Sequence, residues 1–161
     1  MAAIRLLIID DELQFLESIA RRLRLRDFEV TTATNGPEAL EIARQQKFDL
    51  ALLDLKMPGM DGRQVLEKLK AAHQYLEVII LTGHGSVDSA VECTKLGAFT
   101  YLPKPYDLEK LLGILRDAYE ARLMKKFQSD EERMAKLQGL ATGTSALGIL
   151  RAMREIDDDT K

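Results

Sequence analysis

Four short stretches of this chain carry side chains whose types could do chemistry together. Asp10 and Asp11 follow an apolar run, Ile4 to Ile9, and Asp54 ends another, Leu50 to Leu53. Thr82 follows Val78 to Leu81, and Lys104 follows Ala98 to Leu102. Carboxylates gathered within a few ångströms repel one another, and a proton, a lysine or a cation must relieve them. An oxygen-only set suits a hard divalent ion. Mg²⁺ fits, because it keeps waters and takes one or two carboxylates plus a phosphate. Lys104 offers a point charge to a carboxylate or a phosphoryl oxygen, and Thr82 offers a hydroxyl donor. Such a set makes or holds a phosphoryl group on a carboxylate, with the metal offsetting charge. Singly, each residue has a plainer role: Asp10 to Glu12 as helix caps, Thr82 as a strand-end hydroxyl, Lys104 as a solvated lysine. Only convergence separates the two readings.

The elements that would bring them together are legible. Apolar runs at 4–9, 28–33, 50–53, 78–81 and 98–102 read as strands, and unbroken runs suit strands covered on both faces, as in a parallel sheet. Pro58, Gly59 and Gly62 force a loop after the third, which leaves Asp54 at its carboxyl end, where ligands bind in open α/β sheets. Leu13, Leu16, Ile19, Ala20 and Leu23 mark a first helix, and Asn35-Gly36-Pro37 starts a second. Asp61 caps a third over 63–72. A fourth turns Val87, Ala90, Val91 and Thr94 inward and closes at Gly97. Asp107 caps a fifth carrying Leu108, Leu111, Leu112, Leu115 and Tyr119, and the simplest reading extends it to near Gly139. Alternation of five strands with five helices implies right-handed crossovers and helices on both faces. The motif-bearing ends then share one edge of the sheet. Residues 1–122 form this α/β unit. Residues 123–161 form a charged helical extension whose second apolar stripe, Ala146, Ile149, Leu150, Met153 and Ile156, suits either a helical dimer or a helix folded back on the domain.

The whole chain of 161 residues, 46% hydrophobic and 30% charged, sustains one ordinary core. A net charge of −3 gives no footprint for nucleic acid or an anionic membrane. Cys93 is the only cysteine, so no internal disulfide is available and a reducing cytoplasm is the expected location. The amino terminus runs straight into strand-like sequence rather than a signal peptide, and no stretch approaches the ~18 apolar residues that span a membrane.

Asp10-Asp11 after the first strand, Asp54 within Leu-Asp-Leu-Lys-Met-Pro-Gly-Met-Asp-Gly, Thr82-Gly83 and Lys104-Pro105 together resemble a bacterial two-component response-regulator receiver domain. The resemblance covers residues 4 to about 120. It implies a flavodoxin-like doubly wound sheet of order 2-1-3-4-5, here a stand-alone receiver with a short C-terminal helical extension. It also implies that Asp54 accepts a phosphoryl group from a sensor histidine kinase or a histidine phosphotransfer protein. Asp10, Asp11, Asp54 and the backbone carbonyl of Lys56 would hold Mg²⁺. Thr82 and Lys104 would hold phosphoryl oxygens, and Tyr101 would be the switch aromatic. His84 and the Lys56 side chain would lie near the phosphoryl group, and the bond at Lys104-Pro105 would be cis. The output would be binding of a downstream protein, or a homodimer through the face of the fourth helix, fifth strand and fifth helix or through the C-terminal helix.

Rival functions are weaker. A Mg²⁺-dependent aspartyl-nucleophile phosphohydrolase of the haloacid-dehalogenase sort carries an acid two residues past its nucleophile. Lys56 stands there and cannot cycle a proton near neutral pH as a carboxyl can. Nucleotide or flavin binding lacks a Gly-rich phosphate loop, since the first turn is Asp-Asp-Glu. A phosphorylation-independent scaffold has no need of the acidic set.

Overall fold

The structure, a computed structural model, describes residues 3–83, 87–140 and 145–158. Five parallel strands lie in the order β2-β1-β3-β4-β5: β1 Arg5–Ile9, β2 Glu29–Ala33, β3 Leu50–Leu53, β4 Glu77–Thr82 and β5 Thr100–Pro103. Helices α1 Leu13–Arg24, α2 Gly36–Gln45, α3 Gly62–Ala72, α4 Val87–Lys95 and α5 Leu108–Lys126 alternate with them. Two more, α6 Glu131–Gln138 and α7 Ala146–Asp158, follow. This is the doubly wound sheet that the apolar runs and the resemblance imply.

Alternation along each strand splits the core in two. Leu6, Ile8, Leu50, Leu52, Ile79, Leu81 and Leu102 face one side, covered by α1, α5 and α7. Leu7, Ile9, Ala51, Leu53, Val78 and Ile80 face the other, covered by α2, α3 and the Cys93 turn of α4. Local chemistry sets several boundaries. Asn35 accepts the N–H of Glu38 to start α2, and Asp61 accepts that of Arg63 to start α3. Gly97, at φ +106°, ends α4. Asp107 sits at the start of α5 as expected, but its side chain makes no capping bond there.

Two expectations are corrected. The fifth helix does not run to Gly139. It stops at Lys126, with Phe127 as its C-cap, and Asp130 caps α6 by accepting the N–H of Arg133. A straight continuation would carry Phe127 and Leu137 off the end of the domain, whereas the turn buries both in the core shared with α5. In α4, Val91 is 49% exposed and Thr94 is exposed, while Cys93 is buried. The helix carries two overlapping apolar spacings, and packing uses the one through Cys93 that continues to Leu96 just past its end.

At the amino-terminal end of the sheet lies an ionic network that no sequence pattern announced. The buried Asp49 carboxylate meets Arg5 and Arg122, each at 3.1 Å. Arg122 also reaches Asp157 on α7 at 3.6 Å. Asp157 accepts from the Tyr119 hydroxyl at 2.6 Å and pairs with Lys126 at 2.5 Å. The α7 stripe of Leu150, Met153 and Ile156 is buried with α5, so the folded-back alternative for this segment is the one adopted.

Candidate functional site

At the opposite, carboxyl end of the sheet, backbone bonds fix the candidate residues before their side chains do anything. Asp10 N–H donates to Ala33 O, Asp54 N–H to Ile9 O and Lys104 N–H to Thr82 O, each a further rung of its parallel ladder. The loop leaving Asp54 is pinned where Gly62 N–H donates to Leu55 O at 3.1 Å. A β-carbon at Gly62 would lie 2.6 Å from Leu55 Cα, so only glycine allows that approach.

Side chains from four strand ends then converge. Thr82 Oγ1 donates to Asp54 Oδ1 at 2.5 Å, and the Lys56 N–H approaches the same oxygen at 3.4 Å. Lys104 Nζ stands 3.8 Å from Asp54 Oδ2, 2.6 Å from Asp10 Oδ2 and 3.2 Å from Glu12 Oε1. Asp10 and Asp54 are each 2% exposed. Asp10 Oδ1 also accepts the N–H of Glu12. Burial pushes the Asp10 carboxyl above its ordinary range, against the hydrogen bond from Lys104. Burial pulls the Lys104 ammonium down, but its bond to Asp10 and the attraction of Asp10 and Asp54 outweigh that, so its pKa is raised. It stays charged at any ordinary pH.

Among the described residues, carboxylate oxygens of Asp10, Glu12 and Asp54 form a group within 4.8 Å of one another. Glu12 therefore joins the group, although its only signal in the sequence was its place as third acid in Asp10-Asp11-Glu12. Asp11 is exposed and is not one of the three. The Lys56 side chain is exposed too. Tyr101 is half-buried and pairs in register with Ile80, while Thr82 pairs with Pro103. Alternation thus puts Tyr101 and Thr82 on the same face of the sheet, one pleat apart. The Lys104–Pro105 bond is cis. His84 lies outside the described residues. The donor set is oxygen-only, acidic and relieved by a single ammonium, and it fits a hard divalent cation.

The response regulator receiver domain model matches residues 6–116, and this chain belongs to that family of two-component signalling domains, in which phosphorylation falls on an aspartate. Receiver domains bind Mg²⁺ at an acidic pocket of this kind. Among curated relatives, the DNA-binding transcriptional regulator NtrC of Escherichia coli K12 is 33% identical over 150 residues, covering 92% of this chain and 30% of that protein. The regulatory protein AtoC of the same strain is 37% identical over 122 residues, or 76% of this chain and 26% of that one. The chain thus spans about a third or less of these relatives' length. Among solved structures, a CheY-like receiver domain protein from Methanospirillum hungatei superposes with a TM-score of 0.74 at 30% identity, covering 77% of this chain and 99% of that one. NtrX from Brucella abortus gives 0.75 at 29% identity over 93% of this chain and 33% of its own. Among the described residues, no helix is long and apolar enough to cross a membrane.

Proposed function

We propose that Asp54 is the phosphoacceptor of a receiver unit spanning residues 1–122, and that residues 123–161 are a charged helical extension without an output domain of their own. One observation carries this reading: a hydroxyl, Thr82 Oγ1, and an ammonium, Lys104 Nζ, address opposite oxygens of one buried carboxylate. Asp54 Oδ2, the oxygen not engaged by Thr82, attacks phosphorus on a phosphohistidine of a sensor kinase or phosphotransfer protein. A P–O bond forms, the P–N bond breaks, and the imidazole nitrogen keeps the electron pair. Lys104 and Thr82 then hold phosphoryl oxygens. Asp10, Asp11, Asp54 and the Lys56 carbonyl would bind Mg²⁺, with Glu12 at hand, and the ion would neutralise charge during transfer. The new charge draws Thr82 toward it, Tyr101 turns into the vacated space, and the face of α4, β5 and α5 changes its affinity for a downstream protein or a second copy of the chain. The output is signalling in the cytoplasm rather than turnover of a substrate.

The test is incubation with acetyl phosphate and Mg²⁺, read by intact mass and by molar mass in solution. The expected result is one phosphoryl adduct that Asp54→Ala abolishes. An adduct of equal yield in Asp54→Ala, or none in the parent chain, would refute the assignment.

A further inference from the structure

We infer that Phe15, backed by Tyr106, is a positioning residue that seats the Lys104 ammonium over the phosphoryl site, an inference that rests on the reading of Asp54 as phosphoacceptor. Lys104 Nζ lies 4.0 Å from the centroid of the Phe15 ring, well inside the ~6 Å over which a ring face attracts a cation. The Lys104 side chain is 12% exposed, so that attraction is little screened by water. Lysine is a point charge on a flexible stem, and three carboxylates draw this one toward the sheet edge: Asp10, Glu12 and, more distantly, Asp54. The ring closes the remaining side and stops the ammonium from swinging outward with the exposed Glu12.

The ring is itself held. Tyr106, which follows Lys104-Pro105, meets Phe15 edge to face, with centroids 5.8 Å apart and planes at 83°. Arg22, two helical turns after Phe15, places its guanidinium 6.0 Å from the Tyr106 ring and donates to its hydroxyl at 3.5 Å. Phe15 stands beside the buried stripe of α1, which is Leu16, Ile19, Ala20 and Leu23, and remains half-buried. Filling the core explains the stripe. It does not require an aromatic face beneath Lys104.

The test separates ring face from bulk. Phe15→Leu keeps an apolar side chain and loses the face, whereas Phe15→Tyr keeps the face. Phosphorylation of the full chain by acetyl phosphate with Mg²⁺ is followed by intact mass as donor concentration is varied. The Lys104 ε-methylene protons are followed by NMR, where a ring beneath them shifts their signal upfield. In Phe15→Leu the maximal rate should fall about fivefold to tenfold, with donor half-saturation within about twofold of the parent, and the upfield shift should vanish. Phe15→Tyr should recover both. A parent-like rate in Phe15→Leu, or a Phe15→Tyr as slow as Phe15→Leu, would overturn the inference. Should Phe15→Leu not fold, Tyr106→Leu decides: a smaller fall in rate with a weakened shift supports the inference, and no change in either defeats it. If the parent chain takes no phosphoryl group, the assignment of Asp54 fails separately, and the NMR signal alone judges the contact, its absence counting against the role of Phe15.

Discussion

Removing the Asp157 carboxylate should loosen α7 by an amount that the geometry sets. In Asp157→Ala the buried Tyr119 hydroxyl loses the acceptor it reaches at 2.6 Å. Stranding a buried donor costs about 2 kcal/mol. Lys126 and Arg154 lose charge-assisted contacts at 2.5 Å and 3.2 Å, but both are partly exposed and regain water, so together they add about 1 kcal/mol. Arg122 keeps Asp49 at 3.1 Å and the Tyr75 carbonyl, so it is not stranded. The sum, about 3 kcal/mol, lowers Tm by about 6–12 °C for a chain of this length. Asp158→Ala, at a half-exposed neighbour, should cost under about 0.5 kcal/mol. The penalty should also depend on pH. Burial pushes the Asp157 carboxyl up, but the hydrogen bonds from Lys126 and Tyr119 and the charge of Arg122 outweigh it and hold its pKa below the ordinary value. A depressed carboxylate contributes stability that is fully present above about pH 4 and is lost as pH falls through the lower native value. Urea unfolding of parent and variant should therefore diverge most at pH 7 and approach each other below about pH 3. A loss under 1 kcal/mol at pH 7, or a gap that widens on acidification, would refute the account of how α7 is held.

Two further outcomes concern the opposite end of the sheet. Tm should rise with Mg²⁺, by an amount approaching that of about 2.7 kcal/mol at a hundredfold excess over the dissociation constant, and Asp10→Asn should flatten the dependence. Equal slopes in the two proteins would remove Asp10 from the metal site. Gly62→Ala should destabilise by roughly 1–3 kcal/mol and slow phosphoryl acceptance at Asp54, because the atoms in its way, Leu55 Cα and O, are backbone and cannot step aside. Unchanged urea unfolding would show that the loop after β3 is softer than its contacts imply.

The chain's own pattern determined the architecture and the identity of the central groups. Unbroken apolar runs at 50–53 and 78–81 suit strands covered on both faces, and a carboxylate, a hydroxyl and a lysine just past such runs meet at one edge once the strands form a parallel sheet. Asp10, Asp54, Thr82 and Lys104 were legible for that reason. What the tertiary structure decided is whatever depends on a choice among equivalent local options. Glu12 and Asp11 are adjacent acids in a turn, and the path of the Lys104 side chain brought Glu12 to it. The apolar spacings of α4 overlap, and packing turned Val91 and Thr94 outward while Cys93 stayed buried. Most of all, Asp49, Arg122 and Asp157 are three unremarkable charged residues along the chain. They become one buried network only because α5 carries Arg122 to the amino-terminal end of the sheet and the turn at Phe127 sends the chain back with Asp157. Periodicity reports which face of an element is dry. It cannot report which distant charge waits there.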